Sequence, residues 1–162
     1  MSDKVSIGID PGKDGGYAVI WEGGKAETAP WDNSAFITKM EDVVTYTAIE
    51  NLVLVCCVEK VGAMPAKGTE TTRKQGATST FTFGKSAGFI EGVLQTLHIP
   101  YQLVPPQTWK KEFQLNASKQ KSVDVCKKLF PDVSLLRTEK CRKDHDGMAE
   151  SLLMATYAKR KL

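Results

Sequence analysis

Hydrophobic and polar residues alternate over residues 4–10, which is the period of a β-strand. Turn residues follow at 11–16, and apolar residues resume at 17–22 as a second strand. The adjacent Gly23 and Gly24 indicate a tight turn into a third strand near residues 25–29. The first thirty residues therefore predict an antiparallel meander of three strands.

Helical spacing and one continuous apolar run characterise the remainder of the chain. Ser34 is placed to cap a helix over 34–49, and the β-branched-rich run 52–58 predicts a central strand covered on both faces and ending at Glu59. The later predicted elements are a helix over 81–97, a strand over 101–104, a basic helix over 119–130 and a helix over 148–158. The order βββαβαβαα predicts an α/β fold whose mixed sheet combines the meander with parallel strands and is flanked by helices.

A chain of 162 residues can bury one sizeable core but is short for two, so we expect a single domain over 1–162. We find no apolar run long enough for a membrane span and no signal-peptide layout, and so expect a cytoplasmic protein without a membrane partner. The four cysteines lack metal-ligand spacing, which favours reduced thiols over a zinc site. We expect no organic cofactor.

Positive charge is concentrated in the last third of the chain. Residues 105–162 hold 13 Lys and Arg against 7 Asp and Glu, whereas residues 1–104 hold 9 against 12. A basic segment favours an anionic partner such as nucleic acid, although solvated lysine-rich helix faces are also ordinary.

Acidic residues terminate two of the predicted strands. If the strands ending at Asp10 and Glu59 lie side by side and parallel, both acids emerge at the carboxyl edge of the sheet. Alternatively, Asp10 only starts a turn and Glu59 pairs with Lys60 at the surface. A buried acid at such a position requires a cation or hydrogen-bond donors.

A third acidic element spans residues 144–150 and leads into the last predicted helix. Asp146 and Glu150 are four residues apart and share a helical face, whereas Asp144 is suited to cap the helix. Carboxylates from two strand ends and a helix would form an all-oxygen site for Mg²⁺ or Mn²⁺. Two such ions about 3.5–4 Å apart serve phosphodiester hydrolysis.

Four segments in order carry a resemblance to a known family: GIDPG at 8–12, VEKV at 58–61, VPPQTWK at 104–110 and HDGMAESLLMA at 145–155. They resemble the successive motifs of RuvC-type Holliday junction resolvases, and the His-Asp-Gly form with a final Glu is similar to the bacteriophage branch. The resemblance implies an RNase H-like fold, a homodimer and two divalent ions per site. It also implies paired nicks in four-way junctions and other branched DNA such as forks, leaving ligatable 5′-phosphate ends.

Carried over by position, the resemblance assigns Asp10 to bridge both Mg²⁺ ions, for which Mn²⁺ can substitute, with Glu59, Asp146 and Glu150 completing the site. Better-known members end in two aspartates three residues apart, whereas this chain has Gly147 three residues before Glu150. The fourth ligand is therefore Asp144, His145 or Asp146. We favour Asp146, because carboxylate suits Mg²⁺ better than imidazole does.

The same resemblance implies a basic residue, Lys110, near the scissile phosphate, where it would stabilise developing charge. Phe81 follows a loop of basic residues and either packs in the core or wedges against unstacked bases. The expected DNA contacts are Phe81, Arg73, Lys74, Lys85, Lys110 and Lys111.

Gly84, Gly88 and Gly92 recur every four residues along a predicted helix. Each glycine costs about 1 kcal/mol relative to alanine there, so the stripe indicates close approach by another backbone. That backbone belongs either to the sheet beneath or to a second copy of the chain.

Three rival functions share some of these features. A nuclease acting on structured RNA, or a less selective DNA debranching nuclease, would use the same acids and metals. A nucleotide-binding domain of the actin and sugar-kinase type would need a second lobe, and a non-catalytic DNA-binding module has no use for convergent carboxylates.

Overall fold

The computed structural model describes residues 3–62 and 76–162. Its sheet has the strand order β3-β2-β1-β4-β5. The strands are β1 (Lys4–Asp10), β2 (Gly16–Ile20), β3 (Ala26–Pro30), β4 (Val53–Glu59) and β5 (Gln102–Val104). The first three pair antiparallel, and β4 and β5 add in parallel on the other side of β1. The predicted mixed sheet with its meander is confirmed.

Helices cover both faces of the sheet. They are α1 (Asn33–Glu50), α2 (Ala77–Thr96), α3 (Pro106–Glu112), α4 (Lys119–Leu129) and α5 (Asp146–Lys161). Helices α1 and α2 pack on one face, and the other three pack on the opposite face. Adjacent residues of β4 point to opposite sides of the sheet. Cys56 therefore lies in the core beneath α1 and α2, and Cys57 lies in the core beneath α3, α4 and α5. The prediction of a central strand buried on both faces is confirmed.

Two predicted helix caps are wrong. Asp32, not Ser34, caps α1, because its carboxylate accepts a 2.8 Å hydrogen bond from the backbone N–H of Ala35. At α5 the cap is His145, not Asp144, and its Nδ1 accepts the backbone N–H of Met148 at 3.1 Å. The helix therefore starts at Asp146, two residues before the predicted start.

Two further elements differ from the predictions. Helix α2 begins at Ala77 rather than at Phe81, because the Ala, Thr and Ser residues at 77–80 form its first turn. Helix α3 has no predicted counterpart, although Pro106 at its start is typical of a first helical position. This short helix carries Trp109 and Lys110.

Close packing of α5 on the sheet depends on a glycine. A Cβ atom at Gly8, in the middle of β1, would overlap the backbone of Ser151 and Ala155. The helix axis therefore lies directly against β1, which brings the first turns of α5 to the carboxyl end of that strand. None of the helices in the described ranges combines the length and apolar character needed to cross a membrane.

Candidate active site

Three carboxylates from separate elements meet at one edge of the sheet. Asp10 ends β1 and Glu59 ends β4, and the parallel pairing of Ile9 with Val58 sets the two acids side by side. Glu150, in the second turn of α5, completes the group. Each of the three acids offers an oxygen atom within 4.8 Å of the other two.

Asp10 lies in the least favourable environment for a negative charge. Burial, followed by the charges of Glu59, Glu150 and Asp146, raises the pKa of Asp10 well above its ordinary value, and only Lys119 opposes this effect. A carboxylate in such a position is stabilised when a cation binds. The donor set is all oxygen, which fits a hard divalent ion such as Mg²⁺ rather than zinc.

Glu59 does not pair with Lys60 at the surface, which was the alternative to a functional role. Its Oε2 accepts a 2.9 Å hydrogen bond from the indole N–H of Trp109, whose side chain is fully buried. Burial raises the pKa of Glu59, the Trp109 hydrogen bond lowers it, and the charge of Glu150 raises it again. The outcome is a raised pKa and a carboxylate held in one orientation.

Glu150 is buried and is held by one hydrogen bond and one ion pair. The hydroxyl of Ser122, on α4, donates to Oε1 of Glu150 at 3.2 Å. Nζ of Lys110 lies 3.4 Å from the same oxygen and 5.3 Å from the centre of the Trp109 ring. The ammonium of Lys110 therefore lies beside the acidic group.

Asp146 lines the same cavity as the three clustered acids but is outside the 4.8 Å group. Its carboxylate pairs with Nζ of Lys119 at 2.8 Å. Burial by itself raises the pKa of Asp146, but the hydrogen bond and charge of Lys119 outweigh burial, so the pKa is lowered. Asp144 points elsewhere and pairs with Lys127 on α4.

Gly147, three residues before Glu150, has no space for a side chain. A Cβ at Gly147 would overlap the carbonyl oxygen of Asp14 and the backbone of Gly15. The start of α5 therefore packs tightly against the turn that follows β1. This packing explains why an aspartate cannot occupy position 147 in this chain without displacing that turn.

An open cavity of about 850 Å³ lies over the carboxylates. Its walls come from the turn after β1, the first turns of α2, and residues at the starts of α4 and α5. Besides the acids, it is lined by Pro11, Gly12, Lys13, Asp14, Gly15, Trp31, Gly76, Thr78, Ser79, Thr82, Phe83, Ser86 and Lys119. The cavity is large enough for part of a nucleic-acid strand.

Several groups of this site could not be predicted from the sequence. Trp109 and Ser122 lie 50 and 28 residues from the acids they contact. Lys119 was predicted as part of the basic helix over 119–130, without a contact to Asp146. The available signal was Trp109 itself, since a buried indole N–H requires an acceptor.

Three of the residues predicted to contact DNA are exposed to solvent: Phe81, Lys85 and Lys111. Phe81 is 73% exposed on α2, which excludes the alternative that it packs in the core. Lys85 on α2 and Lys111 on α3 are exposed. Arg73 and Lys74 lie outside the described residues.

The glycine stripe of α2 does not contact the sheet. Gly84, Gly88 and Gly92 are exposed, and a Cβ at any of them would have no atom of the described chain within 4 Å. The alternative that these glycines accommodate the sheet beneath is therefore wrong.

No protein-family model and no curated protein matches the sequence. The chain has an RNase H-like fold, with a five-stranded mixed sheet between two layers of helices. The solved structure of T. thermophilus RuvC in complex with a Holliday junction substrate has this fold, with a TM-score of 0.51, 14% sequence identity and coverage of 93% of this chain and 90% of that one. Another Thermus thermophilus RuvC structure gives a TM-score of 0.48 with the same identity and coverage. The resemblance predicted from the four motifs is confirmed for the fold.

Proposed function

We propose that this protein is a metal-dependent endonuclease that resolves four-way DNA junctions and cuts other branched DNA. The observation that carries the proposal is the convergence of Asp10, Glu59 and Glu150 within 4.8 Å of one another at the floor of an open cavity. The similarity in fold to a RuvC structure solved with a Holliday junction supports branched DNA as the substrate.

The residues fit a divalent ion. Asp10, Glu59 and Glu150 would hold two Mg²⁺ ions, with Asp146 as the fourth ligand. When bound, the ions supply a nucleophilic water and neutralise charge on the leaving oxygen. Mn²⁺ has the same preference for oxygen ligands and would substitute.

The other polar residues of the site would orient these acids and bind phosphate. Trp109 and Ser122 each hold one carboxylate through a hydrogen bond, so the ligands are ordered before metal binds. Lys110 has its ammonium 3.4 Å from Glu150 and would stabilise charge on the scissile phosphate. Lys119 would release Asp146 to metal and contact the DNA backbone in exchange.

Paired nicking requires two sites in one assembly, and we propose a homodimer formed through α2. The exposed stripe of Gly84, Gly88 and Gly92 supports this, because it packs against nothing within residues 3–62 and 76–162 yet lowers the stability of the helix by about 1 kcal/mol per glycine. Phe81, exposed on the same helix, would stack against bases at the junction point, and Lys85 and Lys111 would bind phosphates.

The test is cleavage of four substrates of matched sequence: a DNA four-way junction, a DNA fork, a linear DNA duplex and a branched RNA. Each is incubated with Mg²⁺, with Ca²⁺ or with a chelator. We expect Mg²⁺-dependent nicks in strands of like polarity near the junction point, and a loss of cutting of several orders of magnitude in Asp10→Asn.

Cleavage without metal, or linear duplex cut as fast as the junction, would refute the proposal. If branched RNA is cut faster than the DNA junction, the protein is a nuclease of structured RNA instead. Equal cutting of every DNA branch type would indicate a less selective debranching nuclease.

A further inference from the structure

A short basic segment lies between α4 and α5, outside the cavity. This basic loop, residues 137–143, has the sequence RTEKCRK, with four cations and one acid. Arg137, Lys140, Arg142 and Lys143 are all exposed. Within the described ranges, none of the four forms an ion pair, whereas lysines of α4 pair with Asp144 and Asp146.

The basic loop is closed at its base. Leu136 and Asp144 form an antiparallel bridge, and the backbone N–H of His145 donates to the carbonyl oxygen of Leu135 at 2.7 Å. Inside the loop, the N–H of Cys141 donates to the carbonyl oxygen of Thr138 at 3.0 Å. The four cations are therefore presented on an ordered turn, which lowers the entropy lost when they bind a ligand.

The loop leads directly into the start of α5, which carries Asp146. Lys143 lies three residues before Asp146, so their Cα atoms are at most about 11 Å apart, and those of Lys140 and Asp146 at most about 23 Å. Duplex DNA carries about a dozen phosphate charges over about 20 Å of its axis. A duplex arm that leaves the cavity on this side would meet the loop within a few base pairs of the cut.

We infer that the basic loop is a docking surface for the phosphate backbone of a duplex DNA arm next to the cleavage site. The inference rests on the proposed function and extends it to a surface that none of the predicted DNA contacts includes. The loop has no large apolar side chain of the kind that anchors a membrane-binding segment, so the chemistry favours a polyanion. Phosphate contacts of this kind set affinity and orientation without reading sequence.

The test measures how junction affinity depends on salt, with full-length protein in Ca²⁺ so that binding is separated from cleavage. The loop variant is Arg142→Gln/Lys143→Gln. The charge control is Arg160→Gln/Lys161→Gln, which removes the same two charges from the opposite end of α5, where both residues pair with Glu112. Thermal melts of both variants establish that each is folded.

Each lost phosphate contact reduces the slope of log K against log salt by about 0.9, so we expect the loop variant to lose up to about 1.8 of slope. Between 50 and 200 mM salt, that difference is about a twelvefold change in relative affinity. The control should keep the wild-type slope. Adding Arg137→Gln/Lys140→Gln should reduce the slope further.

A loop variant with the wild-type slope and affinity would overturn the inference, even if the wild type cuts junctions. The same holds for equal losses in loop and control variants, which would indicate only a net-charge effect. A change in sedimentation of the loop variant without a change in slope would assign the loop to contact between copies and also overturn the inference. If the wild type binds the junction but does not cut it in Mg²⁺, the proposed function fails while the docking surface stands.

Discussion

Replacing Asp10 with asparagine should stabilise the metal-free protein while abolishing cleavage. Two unit charges 4.8 Å apart repel by about 3.5 kcal/mol at an effective dielectric constant of about 20, and by about 0.9 kcal/mol in a water-like medium. Burial, ahead of the charges of Glu59 and Glu150, is the main cause of the raised pKa of Asp10. We therefore expect a gain of about 1–2 kcal/mol, and a rise in Tm of about 2–8 °C.

The sign of the pH dependence follows from that raised pKa. Because the pKa of Asp10 in the folded state lies above its ordinary value of 3.8, ionisation of Asp10 favours the unfolded chain. This penalty is absent below the ordinary pKa and grows as pH rises through the folded-state pKa. The advantage of Asp10→Asn over the wild type should therefore be larger at pH 8 than at pH 5 and vanish in stronger acid.

Thermal unfolding in chelator and in Mg²⁺ checks both effects. Mg²⁺ should raise the Tm of the wild type, because it binds the folded protein, and should raise that of Asp10→Asn much less. Asp42→Asn, the same change at an exposed acid on α1, is the control and should change neither quantity. If Asp10→Asn lowers the metal-free Tm, or if Mg²⁺ stabilises it as much as the wild type, the argument from charge repulsion is wrong.

Three further predictions concern ligand orientation, the fourth ligand and the dimer. Trp109→Phe keeps an aromatic ring but removes the donor to Glu59, so half-maximal cleavage should need severalfold more Mg²⁺; an unchanged Mg²⁺ titration would contradict this role. Asp146→Asn should reduce the Mg²⁺-supported rate of single-turnover cleavage by orders of magnitude, whereas Asp144→Asn should leave that rate within a fewfold of the wild type. If Asp144→Asn has the larger effect, the fourth ligand is Asp144 and not Asp146. Gly88→Ala should stabilise α2 by about 1 kcal/mol, whereas Gly88→Leu should yield folded monomers in sedimentation; a wild-type monomer at micromolar concentration would exclude the dimer.

Local patterns in the sequence determined most of the elements and the two strand-end acids. Alternation identifies β1 and a continuous apolar run identifies β4, although both strands are buried on both faces. Asp10 and Glu59 follow from these strands, since a parallel pair brings both carboxyl ends to one edge. The acid-bearing start of α5 was also visible, although its cap was assigned one residue too early.

Only the tertiary structure decided how the acids are held and which of them cluster. Contacts between Trp109 and Glu59, and between Ser122 and Glu150, join residues that are distant in sequence, and no periodic pattern encodes such pairs. Lys119 likewise reaches Asp146 only because α4 packs beside α5. The physical reason is that hydrophobic periodicity records which face of an element is buried, whereas hydrogen bonds and charge pairs depend on the relative placement of whole elements.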